Sequence, residues 1–296
     1  MDGVINTTPQ NYKIDFAPHM QPDEKDRDMI SSWPVIQEHV ARRDHAGFKT
    51  SRLQVNGAWF VGAGEKRKLL GAQARVFYKT PDGADSSYHV NFMPDAAALL
   101  LVFRVGAAAF AKRDQKVPLR NHHAMLVRQP RWGVGDPDTL EIPAGIIEQD
   151  GITPRFSIMD RAVLAALREF MEETGARGKE LFSINSGTIQ SLGGPVSCAV
   201  NLTEAQHQFS ATIDVTARQF RKIQEAMQDA TAGLASEQES TTVTIMPLKR
   251  AFEETLSGKS PFSQIAIARY MKREGLLGFD RSRVRRNEPG SGPSPG

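Results

Sequence analysis

The chain has 296 residues, a formal net charge of +3 and an apolar content of 40%, the make-up of an ordinary globular protein with room for one large domain or two small ones. A charge that small does not argue for nucleic acid or an acidic membrane surface as a partner, and the longest apolar run, AAALLLVFRVGAAAF, is broken by Arg104 and falls short of the roughly 20 residues that span a bilayer. Cys198 is the only cysteine, which excludes an intrachain disulfide, and the sequence opens without the basic and apolar pattern of a secretory signal, so a soluble protein in a reducing, cytoplasmic location is expected.

Residues 1–47 read as an amino-terminal extension in which Ile30, Trp33, Ile36 and Val40 recur at helical spacing, predicting a helix near 22–43. From 48 to 95, β-prone pieces (RLQVNGAWFVG, AQARVFYKT, YHVNFM) alternate with turn signals at Asn56-Gly57, Gly62-Ala63-Gly64 and Pro81-Asp82-Gly83, the pattern of an antiparallel β subdomain. From 96 to 278 strands and helices mix: strands AALLLVFRV and HHAMLVRQ, the loop PRWGVGDPD, a short strand TLEIPAG and a helix through Arg161 to Glu173. β-prone segments follow near 187–214, then a helix at 216–229, the polar loop TAGLASEQES, the strand TTVTIMPL, and helices near 249–257 and 261–275. Residues 279–296 are basic, then rich in Gly, Pro and Ser, the composition of a disordered tail. No repeat with a period of 20–50 residues is present.

The stretch REFMEETGA, residues 168–176, places Glu169, Glu172 and Glu173 on one helix, where like charges three and four apart repel by about 0.2–0.5 kcal/mol per pair. Val163, Leu164, Leu167, Phe170 and Met171 supply apolar surface toward a core, and Gly175 offers the residue type that ends helices in a left-handed conformation. An acidic run by itself reads as a solvated face. Upstream, however, EIPAG ends in a glycine that lets backbone approach a ligand closely, and carboxylate and carbonyl oxygens together suit a hard cation such as Mg²⁺, often completed by substrate phosphates.

These residues resemble the Nudix box, whose pattern is Gly, five residues, Glu, seven residues, then Arg-Glu-apolar-any-Glu-Glu-any-Gly-apolar. Arg168, Glu169, Phe170, Glu172, Glu173 and Gly175 match its second half. The first half departs: Gly145 lies 23 residues before Arg168 rather than 14, which implies an insertion near 148–156, and the place of the first box Glu is held by Asp160. Ser157-x-x-Asp160 equally reads as a capping box at the helix start. AMLVRQPR followed by LEIPAG is similar to Nudix enzymes that cleave ADP-ribose and related nucleoside diphosphate sugars.

The resemblance implies an α/β fold, a Nudix α/β/α sandwich with a mixed sheet plus the amino-terminal β subdomain, through which such enzymes form homodimers. It implies Mg²⁺ or Mn²⁺ held by Glu169, Glu172, Glu173 and the Ala144 carbonyl, with Arg168 orienting the acids and Glu172 close to the chemistry. Glu237 and Glu239, in the acidic loop before the last strand, become candidates for the catalytic base and a further metal ligand. Arg131 is placed on the diphosphate, where a planar guanidinium pairs bidentately with phosphate oxygens; Arg128 and Gly145 are further candidates for substrate contact, although Arg128 also reads as an ordinary solvent-facing charge on its strand, and Trp132 could stack on a base or lie in the core. The implied reaction is hydrolysis of ADP-ribose or a related nucleotide sugar to a nucleoside monophosphate and a sugar phosphate. The substrate could instead be a UDP- or GDP-sugar or an ADP-hexose, because Ser191-Leu192-Gly193-Gly194-Pro195 displaces the proline of the family's Ser-Pro-Gly turn. A different class, a silent Nudix-fold nucleotide sensor, also stands, since fold alone does not fix function.

Other motifs carry less. Ser257-Gly258-Lys259-Ser260 follows a helix rather than a strand and so does not fit a P-loop. His122-His123 has no further ligand at metal spacing and reads as a strand start. Asn201-Leu-Thr matters only in a secreted protein, the arginines of the tail read as solvated, and Trp33 and Trp59 read as core.

Overall fold

Pro34 splits the helix expected over 22–43 into two. The structure is a computed structural model that describes residues 12–62, 64, 67–131, 136–147, 157–175, 181–184, 186–197, 202–232, 241–257 and 260–277. In it α1 spans Glu24–Ser31 and α2 spans Pro34–His45. Trp33 between them has extended backbone, as residues before proline favour, and Pro34 opens α2 where a missing N–H costs nothing. The Asp23 side chain accepts from Asp26 N and caps α1.

Both helices cover one face of a four-stranded sheet in which β1 (Lys13–Phe16) runs parallel to β2 (Lys49–Val61), followed by antiparallel β3 (Lys68–Lys79) and β4 (Asp85–Phe92). Ile30, Trp33, Ile36 and Val40 pack there against Leu53, Val55, Val76 and Phe92. The Asn56-Gly57 pair does not turn. β2 runs through it and the register against β3 shifts between Val55 and Gly57, so the glycine serves a bulge; the chain reverses later, where Gly62 and Gly64 adopt φ of 77° and 59°. Trp59 is correspondingly not core. It pairs with Gly71 across the strands, lies over that glycine and remains 48% exposed.

The second sheet is mixed and has the central order β10 (Val196–Ser197), β11 (Ala205–Val215), β5 (Ala96–Val105), β6 (His122–Arg131), β13 (Thr241–Pro247), β12 (Thr231–Ala232). Three short strands pair outside this path: β7 (Asp136–Glu141) with β6, β8 (Ala144–Ile146) with β5, and β9 (Gln190–Ser191) with β11. Every residue of β5 from Ala96 to Phe103 is buried, because helices cover both of its faces, the situation that gives a near-continuous apolar run. Ala97, Leu99, Leu101 and Phe103 lie in a core with α4 (Ile158–Thr174) and α5 (Ala217–Met227). Ala98, Leu100 and Val102 lie in the opposite core with α6 (Leu248–Ser257) and α7 (Pro261–Arg273). A five-residue helix, α3 (Ala107–Ala111), follows β5. The fold is α/β, and no helix among the described residues is long and apolar enough to cross a membrane.

Candidate active site

The acidic helix is fixed at its start by a reciprocal cap. Ser157 Oγ accepts from Asp160 N at 3.1 Å and Asp160 Oδ2 accepts from Ser157 N at 3.2 Å, so Asp160 satisfies helix-end donors of α4. Ala162, Ala165, Ala166 and Phe170 form the buried stripe, and Leu164, expected on it, is 47% exposed because it falls between the recurring core positions. Glu173 follows Phe170 by three residues, shares that stripe and is only 4% exposed. At the helix end Gly175 takes φ 76° with ψ 173°, a positive φ but not the left-handed helical conformation expected.

Strand β8 brings the EIPAG backbone under this helix. Ala144, Gly145 and Ile146 pair with Ala98, Ala97 and Ala96, and the Glu169 carboxyl lies across Gly145 so closely that a Cβ there would stand 1.9 Å from Glu169 Cδ. Only glycine accommodates this approach. Arg168 Nη2 donates to Glu169 Oε1 at 2.6 Å and to the Ile146 carbonyl at 3.2 Å, and its Nε lies 3.9 Å from Glu172 Oε2. One guanidinium therefore ties two box acids to the β8 backbone. Thr241 Oγ1 donates to the Glu173 carbonyl at 2.7 Å, anchoring the end of α4 to β13.

The structure thus brings together Ala144, Gly145, Arg168, Glu169 and Glu172, with Glu173 buried beside them in the helix. Arg128 is engaged elsewhere. It donates to Asp138 at 2.9 Å and to Glu254 at 3.1 Å, and Glu254 also accepts from Arg250 at 2.6 Å, so a phosphate would have to displace a carboxylate to reach it. Glu237, Glu239, Trp132, the insertion near 148–156, Cys198 and the tail lie outside the described residues, as does the side chain of Arg131, which ends β6. His122 and His123 start β6. Burial holds both imidazoles below their usual pKa, and their contacts are with the Pro118 carbonyl and the Phe220 ring.

Among the described residues no group of three or more His, Cys, Asp or Glu side chains stands together as a metal shell. The donor chemistry nevertheless suits Mg²⁺ or Mn²⁺: Glu169, Glu172, Glu173 and the Ala144 carbonyl are hard oxygen donors, and the bare Gly145 backbone is a cradle that a side chain would fill.

Sequence reasoning did not find the cavity on the other side of β8. About 300 Å³ in volume, it is lined by Glu141, Gly145, Glu204, Gln206, Ser260 and Phe262, among others. A signal was present in AQHQFSATIDV, where Gln206 and Gln208 occupy buried positions of the strand; a polar group placed in a core position needs a partner. Ser263, nearly fully buried, accepts from Ile142 N at 3.0 Å and fixes the EIPAG segment to α7.

No protein-family model matches this chain and no curated protein matches it. Among solved structures, one described as an ADP compounds hydrolase is similar over 76% of this chain and 97% of its own, at 16% identity and a TM-score of 0.40. The functional reading rests on this chain's own residues.

Proposed function

We propose that the protein is a metal-dependent hydrolase of the Nudix type that cleaves the diphosphate of a nucleoside diphosphate sugar, with ADP-ribose the first candidate. The observation that carries the reading is the box helix laid onto the EIPAG backbone, with Glu169 across Gly145 and Arg168 joining Glu169 to the Ile146 carbonyl. In this reading Glu169, Glu172, Glu173 and the Ala144 carbonyl hold Mg²⁺ or Mn²⁺. The cation would neutralise charge on phosphoryl oxygens and lower the pKa of a coordinated water.

Arg168 positions Glu169 and Glu172 rather than touching substrate. Glu237 or Glu239, on the segment that leads into Thr241, takes the proton from the attacking water. Arg131 grips the diphosphate and Trp132 stacks on the base, while Arg128, shared by Asp138 and Glu254, has no part. Two chains associate through the β1–β4 sheet as a homodimer.

Phosphatase-coupled phosphate release across ADP-ribose, ADP-hexose, UDP-sugars and GDP-sugars, with and without Mg²⁺, tests the reading. Turnover of at least one substrate that requires the divalent ion is expected, and Glu173→Gln should lower kcat by about 100-fold or more while the protein stays folded. A fully active Glu173→Gln protein, or turnover indifferent to metal, overturns the assignment. The second reading, a nucleotide-binding module without catalysis, predicts ligand binding with no turnover across the panel.

A further inference from the structure

We infer that the cavity of about 300 Å³ behind β8 receives the uncharged, hydroxyl-rich end of the substrate, a sugar ring, and that Gln206 and Glu204 read its hydroxyls; the inference rests on the hydrolase reading above. The cavity and the acidic helix share Gly145, with Glu169 against that residue and the cavity bordered by it. A substrate whose diphosphate lies at the acids has its neighbouring group within reach of this space. The volume lies at the small end of ligand pockets, too small for a whole dinucleotide.

Its chemistry selects among the parts of such a substrate. Among the described residues that line it there is no lysine or arginine to pair with a phosphate, whereas Glu204 and Glu141, the latter accepting from Gln129 Nε2, bring carboxylate oxygens that accept from hydrogen-bond donors. Gln206 is 7% exposed and held in one orientation: its Oε1 accepts from Gln208 Nε2 at 3.1 Å, and Gln208 in turn donates to the Phe262 carbonyl at 2.9 Å and accepts from Arg269 Nη1 at 3.3 Å. One acceptor site of its oxygen is used in this way, and Gln206, which lines the cavity, brings to it an amide whose N–H groups can donate. Carboxylates that accept and an amide that donates are together complementary to hydroxyl groups, which do both. Phe262 adds apolar surface for the C–H face of a ring. A desolvated donor such as Gln206 discriminates strongly, because a ligand without the matching hydroxyl leaves it unpaired.

The test compares kcat/KM for ADP-ribose with that for the methyl ester of ADP, which keeps the nucleotide and the diphosphate but lacks the distal sugar. Wild-type protein should prefer ADP-ribose, and Gln206→Leu should shrink that preference by about 100-fold; Glu204→Gln, on a less buried residue, should shrink it in the same direction and guards against a folding defect in the first variant. An unchanged ratio in both folded variants overturns the inference. If the wild type cleaves neither compound with Mg²⁺ or Mn²⁺, the hydrolase reading fails by itself, and the cavity is then tested by saturation-transfer NMR on the metal-free protein with D-ribose and, separately, adenosine. A D-ribose signal lost in Gln206→Leu sustains the sugar site. No D-ribose signal, or a Gln206-dependent signal from adenosine alone, overturns it.

Discussion

Among the described glycines, Gly145 leaves the least room for a side chain. Replacing it with Ala puts a Cβ 1.9 Å from Glu169 Cδ, so the carboxyl must swing away and release Arg168. Overpacking of this kind costs about 1–3 kcal/mol, and the displaced acid should reduce turnover of ADP-ribose by at least about tenfold; urea unfolding and steady-state kinetics read the two effects separately. The need for a glycine here was legible in EIPAG, because a backbone that must lie close to a ligand or a carboxylate tolerates no side chain. The fate of Arg128 was not. Its partners Asp138 and Glu254 stand 10 and 126 residues along the chain, and nothing local distinguishes a guanidinium aimed at a phosphate from one already shared by two carboxylates. Nor was the burial of Glu173: the sequence sets it in an acidic run that by itself reads as solvated, and the structure places it beside Phe170 at 4% exposure.

Among the elements, α4 separates two roles that the sequence left equal for Asp160. The reciprocal bonds with Ser157 make it a helix cap. Asp160→Ala should therefore cost about 1 kcal/mol of stability, measured by denaturant unfolding, with Mg²⁺-dependent turnover kept within a few-fold of wild type; a loss of activity as deep as that of Glu173→Gln would give Asp160 the role of the first box Glu instead. Strands were readable where burial was uniform, as in AALLLVFRV, and misread where a local signal met a longer ladder. Asn56-Gly57 is a strong hairpin signal, yet residues on both sides of it pair with β3, and the ladder absorbs the pair as a bulge. The break at Pro34 was available from the sequence, since apolar spacing through Ile30 and Ile36 survives a proline that the hydrogen-bond pattern does not.

At the scale of the molecule, stability is coupled to pH through the amino-terminal sheet. His39 is half-buried with its Nε2 2.5 Å from Tyr88 Oη, and desolvation, reinforced by the charges of Arg43 and Arg42, lowers its pKa to about 4. The unfolded chain, with a histidine near ~6.5, takes up the proton first as pH falls. The contribution from a neutral His39 is thus complete above about 6.5 and is lost progressively down to about 4. Between pH 7 and pH 5 the protein should lose about 2 kcal/mol from this group; His122 and His123, also shifted down by burial, act with the same sign. Urea titrations at the two pH values should show a smaller loss in His39→Gln, and an equal loss would assign the pH dependence elsewhere.

The burial of β5 on both faces has a consequence for where damage can originate. Leu99 and Leu101 underlie the acidic helix, while Leu100, between them, belongs to the opposite core with α7. One strand separates the two cores here, so the layer that carries α4 and the layer that carries α7 rest on the same β5 backbone. A cavity cut at Leu100 has no intervening layer in which to relax, and repacking on the side remote from the chemistry moves the platform on which Glu169 and Glu173 stand.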